Sequence, residues 1–363
     1  MFKNINQINN VLSFIISYKN LFYVDKNKTL FKNNAIINTG VDTFCYDFVE
    51  EETIYVKDEN TFINNLIIEE KTYLRNSKNL SSRTILLDGE YNSLSDGFEC
   101  NYYLYDILNK KLNRIANFRN LRNHLNKNKY LFLSNKNSIH AYSLPDATPL
   151  WQYEVSELGA YDVLFSTEKR NYEVVKFLGV WQEELLVAFQ GSLLMAFDVQ
   201  TGKVTRQWQE LPAHADEELR NIFRGKIHEK GTVFQLNLAG DKIVAIYLRH
   251  YLEIDLATSE IHVKNLSQTL HQHLMVDFNH KSGYAEDETH FYTTVHLDQE
   301  KLGLKYIPTA LCALNKSTLE IDWFHRFDQD GTGDYVSVQI PQVSHNKLYQ
   351  LTQNNVLYVF EKE

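Results

Sequence analysis

Cysteine is scarce in this chain of 363 residues: Cys45, Cys100 and Cys312 are its only three, odd in number and far apart. With no CxxC and no vicinal pair, there is no framework for disulfides, a thiol redox centre or a cysteine-rich zinc site. Five prolines and 14 glycines are too few for a collagenous or low-complexity chain. No apolar run approaches the roughly 20 residues a membrane-spanning helix needs. The stretch Val11-Leu12-Ser13-Phe14-Ile15-Ile16 is short, flanked by asparagine, and lacks a small-residue cleavage site, so no signal peptide is read there. A reducing cytoplasm is the expected setting. An excess of positive charge is missing too: 46 acidic against 37 basic side chains give a formal charge of −9, which argues against a general nucleic-acid binder. There is no GxSxG, P-loop or GxGxxG motif, and no nucleophile stands with its base.

What is present is ample apolar content, 44%, and a strand-like rhythm. Short runs rich in Ile, Val, Tyr and Phe alternate with polar turns along the whole chain. Asparagine crowds the first 140 residues, while all four tryptophans and all five prolines lie beyond them. The patterning of strands and turns does not change across that point.

Internal repetition organises the pattern. In Ala196-Phe197-Asp198-Val199-Gln200-Thr201-Gly202-Lys203 an apolar strand ends in Asp198, and Thr201-Gly202 turns the chain into the next strand. The register recurs at Ala313-x-Asn315-x-x-Thr318 and Glu253-x-Asp255-x-x-Thr258, and more loosely at Ala141-x-Ser143-x-x-Asp146, Leu104-x-Asp106-x-x-Asn109, Ile67-x-Glu69-x-x-Thr72 and Val359-Phe360-Glu361. A ten-residue step from the small position to a tryptophan holds from Ala141 to Trp151 and from Ala313 to Trp323; in the best repeat the tryptophan is displaced to Trp208. The polar markers at 69, 106, 143, 198, 255, 315 and 361 are separated by 37, 37, 55, 57, 60 and 46 residues, each enough for one four-stranded antiparallel sheet. Seven markers predict an all-β propeller of seven blades, and Asp25 as an eighth marker keeps eight blades open. Residues 1–363 are read as a single propeller domain, with the amino-terminal strands completing the carboxy-terminal blade and so removing exposed sheet edges.

The segment from Gly191 to Lys203 resembles the PQQ-like, or quinoprotein-dehydrogenase-like, propeller repeat: a glycine, a small residue before aspartate, a Thr-Gly turn, then a docking tryptophan. The resemblance covers about the last two-thirds of the chain and fades before residue 100. It implies the propeller fold. The quinone-dependent enzymes of that family carry adjacent cysteines and calcium beside the cofactor. This chain has no adjacent cysteines, so the resemblance points to non-catalytic, scaffold-type members, and no cofactor is expected.

Three steps are about 20 residues longer than the minimal 37, and the surplus marks insertions. Two lie between the fourth strand of one blade and the first of the next: Ser156–Arg170, with Tyr161 and Asp162, and Glu210–Arg224, with His214 and the acidic helix start Asp216, Glu217 and Glu218. The third, His296–Pro308, lies between second and third strands and carries Lys301 and Tyr306. In up-and-down blades these connections leave on the same edge, opposite the marker turns, and long loops on a rigid scaffold are where binding concentrates. A short amphipathic helix with Leu219, Ile222 and Phe223 on one side is predicted in the second insertion.

Other clusters are weaker. His271 and His273 would share a strand face and suit zinc, near His280, His290, His296 and Asp277. Asp328-Gln329-Asp330-Gly331-Thr332-Gly333-Asp334 has alternating carboxylates but departs from the EF-hand pattern, and is read as a hydrophilic turn. Residues 107–145 hold no acidic side chain and eight cations, Lys110, Lys111, Arg114, Arg119, Arg122, Lys127, Lys129 and Lys136, and are read as a solvated edge. The expectation is a non-catalytic propeller presenting a loop-rich face to a protein partner. That partner is basic, as for a scaffold or an immunity-type protein neutralising a toxin; neither membrane nor nucleic acid is involved. The alternative is a metal- or small-molecule-dependent enzyme using the central channel.

Overall fold

A computed structural model describes residues 2–362 except 18–19, 42–46, 50–51, 58–59, 64–65, 68–72, 75–83, 95–96, 107–108, 110, 128, 145, 216, 228–230, 280–282, 304–308 and 328–339. The fold is a β-propeller of four-stranded antiparallel blades, with few and short helices. In chain order the blades are 11–38, 47–67, 73–119, 123–154, 174–208, 234–265, 275–326, and 342–362 joined by 2–8. These are called blades 1 to 8, so the described strands make the larger of the two counts left open by the sequence. Asp106, Ser143, Asp198, Asp255 and Asn315 end the third strands of blades 3 to 7, and Glu361 stands one residue before the end of that of blade 8. Asp25 ends the second strand of blade 1 instead, and Glu69 lies outside the described residues.

Contacts group the chain into two compact units. One is Met1–Thr39, Leu211–Ile222 and Thr232–Glu363, holding blades 1, 6, 7 and 8; the other is Gly40–Glu210 and Phe223–Gly231, holding blades 2 to 5. Within the first unit, Phe2–Ile8 pairs antiparallel with Leu357–Lys362, Phe2 facing Lys362. The amino-terminal strand is thus the fourth strand of blade 8, as the sequence predicts.

Burial follows strand position. In blade 5, Glu184–Phe189 and Leu193–Asp198 are buried along nearly their whole length, because both faces of a middle strand are covered. The fourth strand of blade 4, Thr148–Glu154, is largely solvated. Each fully buried Leu, Val or Phe contributes about 1.5–3 kcal/mol, so the middle strands carry most of the hydrophobic stabilisation.

The ten-residue step is a cross-strand pairing. Ala141 faces Trp151 and Ala313 faces Trp323, each immediately before a register shift between third and fourth strands. The indole then docks on the following blade. Trp151 Nε1 donates to the Val199 carbonyl at 2.8 Å, and Trp323 Nε1 to the Phe2 carbonyl at 2.9 Å. Their rings lie 6.2 Å from Phe197 and 5.3 Å from Phe360, the residues before the Asp198 and Glu361 markers. Gly202 is required beneath Trp151: its φ is +70°, and a Cβ there would come 2.6 Å from the ring. In blade 5 the facing residue is Arg206, which lies over Trp181 and Trp208 and pairs with Glu184, so Trp208 moves two places along the strand. Blade 6 has no tryptophan here. Glu253 replaces the alanine, faces His262, and accepts from Lys242 Nζ at 2.8 Å and Tyr251 Oη at 2.5 Å.

The third-to-fourth register shift recurs at Leu30/Phe31, Tyr102/Tyr103 and Ala196/Phe197, whereas the corresponding pair in blade 6 has none.

Candidate partner-binding surface

The marker turns are closed by their own side chains. Asp198 Oδ1 accepts from Thr201 Oγ1 at 2.7 Å and from the N–H groups of Thr201 and Gln200 at 2.8 and 3.1 Å. The Thr201 hydroxyl, then its N–H, holds the Asp198 carboxyl below its ordinary range. Asp255 and Asn315 accept from the equivalent N–H groups. These turns are internally satisfied, which leaves the opposite blade edges as the place to look for recognition.

There the first insertion is a two-stranded hairpin. After the 3-10 turn Val155–Leu158, Ala160–Asp162 pairs with Lys169–Asn171. Tyr161, expected to meet the partner from this insertion, is buried at 7% exposure. Its ring fills the space above Gly191, where a Cβ would come within 2.5 Å, and lies 5.1 Å from the Tyr172 ring. It fastens the hairpin to blade 5 rather than meeting a partner, which corrects the sequence expectation. It also explains the glycine that opens the best repeat.

The hairpin tip carries what the sequence reading missed. Phe165 is 76% exposed, with a left-handed backbone (φ 59°), and the Arg224 guanidinium sits 5.8 Å from its ring centroid. Exposed opposite charges flank it: Asp162 with Lys169 at 3.7 Å, and Glu168 with Arg170 at 3.0 Å. A signal existed in the apolar run Val163-Leu164-Phe165 inside a charged insertion, which has no use in a solvated loop.

In the second insertion α1 spans Glu217–Phe223, with Leu219 and Phe223 buried; the Ile222 side chain lies outside the described residues. His214 and Glu217 are exposed. Asp216 and the Glu218 side chain lie outside the described residues. Glu210 pairs with Lys226. In the third insertion a short helix, α3, spans Gln299–Leu302, capped by Asp298, whose carboxylate accepts from the Lys301 N–H; the exposed Lys301 Nζ returns to Asp298 at 3.1 Å. Tyr306 lies outside the described residues, as does the loop from Asp328 to Asp334.

The zinc expectation loses its geometric premise. His271 lies in the helix Ser267–Gln272 (α2, preceding α3 in the chain) and His273 caps it, so residues two apart fall about 200° apart around the axis instead of sharing a strand face. His273 packs edge-on against Phe324. Of the other histidines named with them, His296 meets Asp277 at 2.7 Å and His290 meets Asp322 at 2.9 Å. Among the described residues no group of three or more His, Cys, Asp or Glu is placed to hold a metal ion.

Blades closed by polar-marker turns, with insertions displayed on the other edge, define the class: a propeller with a loop-built surface. No protein-family model matches the sequence, and no curated protein matches it. Among solved structures, the chain is similar to the computationally designed Ika8 protein (TM-score 0.56, 9% identity, 97% of this chain and 96% of that one). It is also similar to Sqt1 of Saccharomyces cerevisiae (TM-score 0.53, 9% identity, 98% and 99%). BamB of Moraxella catarrhalis aligns at a TM-score of 0.46 and 10% identity over 100% of this chain and 98% of that one. At these identities the likeness is one of fold.

Proposed function

We propose that this protein is a non-catalytic binding protein whose insertion hairpin docks on a protein partner. The single observation behind this reading is Phe165, a large apolar side chain held in water at the tip of a hairpin that Tyr161 fastens to the blade. An exposed aromatic on a rigid support, ringed by charges, has the composition of an interface hot spot with its polar rim. The formal charge of −9 and the exposed Asp162 and Glu217 favour a basic partner in the cytoplasm, as an inhibitor or immunity-type protein capping a basic toxin would have.

The test is a tagged pull-down from the native cell at low and high salt, run in parallel with Phe165→Asp. The expected result is a stoichiometric protein captured by the wild type and lost by a variant whose unfolding midpoint is unchanged. Identical capture by both would remove the hairpin from the interface.

A further inference from the structure

The basic stretch read from the sequence as a solvated edge does not disperse over the surface. Two connections of the second unit, 119–122 between blades 3 and 4 and 135–137 between the second and third strands of blade 4, enclose a groove of about 470 Å³. Its lining is Arg119, Asn120, Leu121, Arg122, Asn135, Lys136 and Asn137.

The walls are fixed by the backbone. The Arg122 N–H donates to the Ser134 carbonyl at 2.8 Å, which ties one connection to the other. Leu121, 2% exposed, is driven into the core beside Phe118, Leu131 and Leu133. Asn135 Oδ1 accepts from the Asn137 and Ser138 N–H groups, both at 2.7 Å, so the second turn is closed from within. The Lys136 and Asn137 carbonyls accept from Val174 and Val155, at 2.9 and 2.7 Å.

The lining therefore holds three cations and three amides and no carboxylate, in a chain whose overall charge is negative. Carboxylates stand just outside the lining: Glu173 reaches Lys136 Nζ at 2.8 Å, and Glu99 faces Arg119 across the strand pair. Two guanidinium groups offer forked N–H donors suited to oxyanions, and side-chain amides add neutral donors beside them. The volume matches a small ligand rather than an extended chain.

We propose that this groove binds a small phosphate-bearing molecule through Arg119 and Arg122, with Lys136 shared between the ligand and Glu173. This site is independent of the partner surface.

The test is calorimetric titration of the full chain with pyrophosphate, with citrate, and with a single-stranded oligonucleotide, at fixed salt. The expected result is saturable one-to-one binding of pyrophosphate, weakened about tenfold or more in Arg119→Ala/Arg122→Ala. Glu173→Gln, which releases Lys136, should tighten it, and gives a second reading should the double variant fold poorly. Three results would overturn the proposal: no saturable binding by the wild type, equal affinity for citrate, or oligonucleotide binding that strengthens with length.

Discussion

The first 140 residues and the rest of the chain solve the same backbone problem with different chemistry. Tight connections force residues into the left-handed region, which costs most side chains about 1–2 kcal/mol. Before residue 140 the described non-glycine residues there are Asn10, Lys28, Asn33, Asn34 and Asn120, nearly all asparagine, which tolerates that region best. Beyond it only Asn355 is an asparagine, and the same conformation falls to Ala147, Ser259, Leu319 and others. Three of these, with Gly202, occupy one place, four residues after the markers Ser143, Asp198, Asp255 and Asn315. In the later blades the marker side chain closes the turn around the strained residue, as Asp255 does before Ser259 and Asn315 before Leu319, while the docked Trp151 packs on the one such turn that has glycine, at Gly202. Blade 1 relies on the turn residues themselves: Asn33 Oδ1 accepts from Leu21 N–H and its Nδ2 donates to Asn20, both at 2.8 Å. An asparagine-rich region is thus a different turn vocabulary on one fold.

Substitutions can separate the two vocabularies. The largest effect is expected for Trp151→Ala, which removes the dock on Val199 and Gly202: about 3 kcal/mol by chemical denaturation, against less than about 0.5 kcal/mol for His262→Ala at the equivalent exposed site of blade 6. Next come the turn residues. Asn33→Ala loses both the tolerated conformation and two hydrogen bonds, about 2 kcal/mol, of which Asn33→Gly should recover roughly half. Asp198→Ala loses only the turn cap, about 1 kcal/mol. The Asp198 carboxyl lies below its unfolded value, so its contribution is present above that value, about pH 4. The gap between wild type and Asp198→Ala should close as pH falls further, while that for Asn33→Ala should not. The smallest change is a gain. Ala147 has φ 53°, and Ala147→Gly should raise the unfolding midpoint by a margin worth about 0.5 kcal/mol; a loss would mean its methyl packing outweighs the strain.

The same contrast explains what could be read in advance. The fold was legible wherever a marker ended a third strand, because an Asx turn leaves a fixed spacing in the sequence. It was faint in blade 1, where the third-to-fourth connection is Asn33-Asn34 and leaves no Asp-x-x-Thr trace. The left-handed position is glycine only at 202, so the Thr-Gly signature survived once. The insertions were legible from their length alone, but their chemistry was not. Tyr161 looked like an anchor because nothing local records that Gly191 leaves room for its ring. Phe165 was passed over because its insertion was read for its tyrosine and charges, not for the apolar run Val163-Leu164-Phe165. His271 and His273 were assigned the strand period in a segment that is helical. Arg119, Arg122 and Lys136 come together only because two different connections of neighbouring strands meet.

The register shifts between third and fourth strands bear on how molecules avoid one another. Each fourth strand ends its sheet and offers unsatisfied N–H and C=O groups to any other strand in solution. A shift in the preceding pair bends and twists that edge out of the plane in which a second chain could continue the ladder. The blade 6 edge has no such shift, and it carries exposed His262 and Lys264 instead, polar and cationic side chains that discourage the same pairing. Aggregation resistance in this protein is therefore distributed edge by edge, by a bent edge where the shift occurs and by polar and cationic side chains in blade 6.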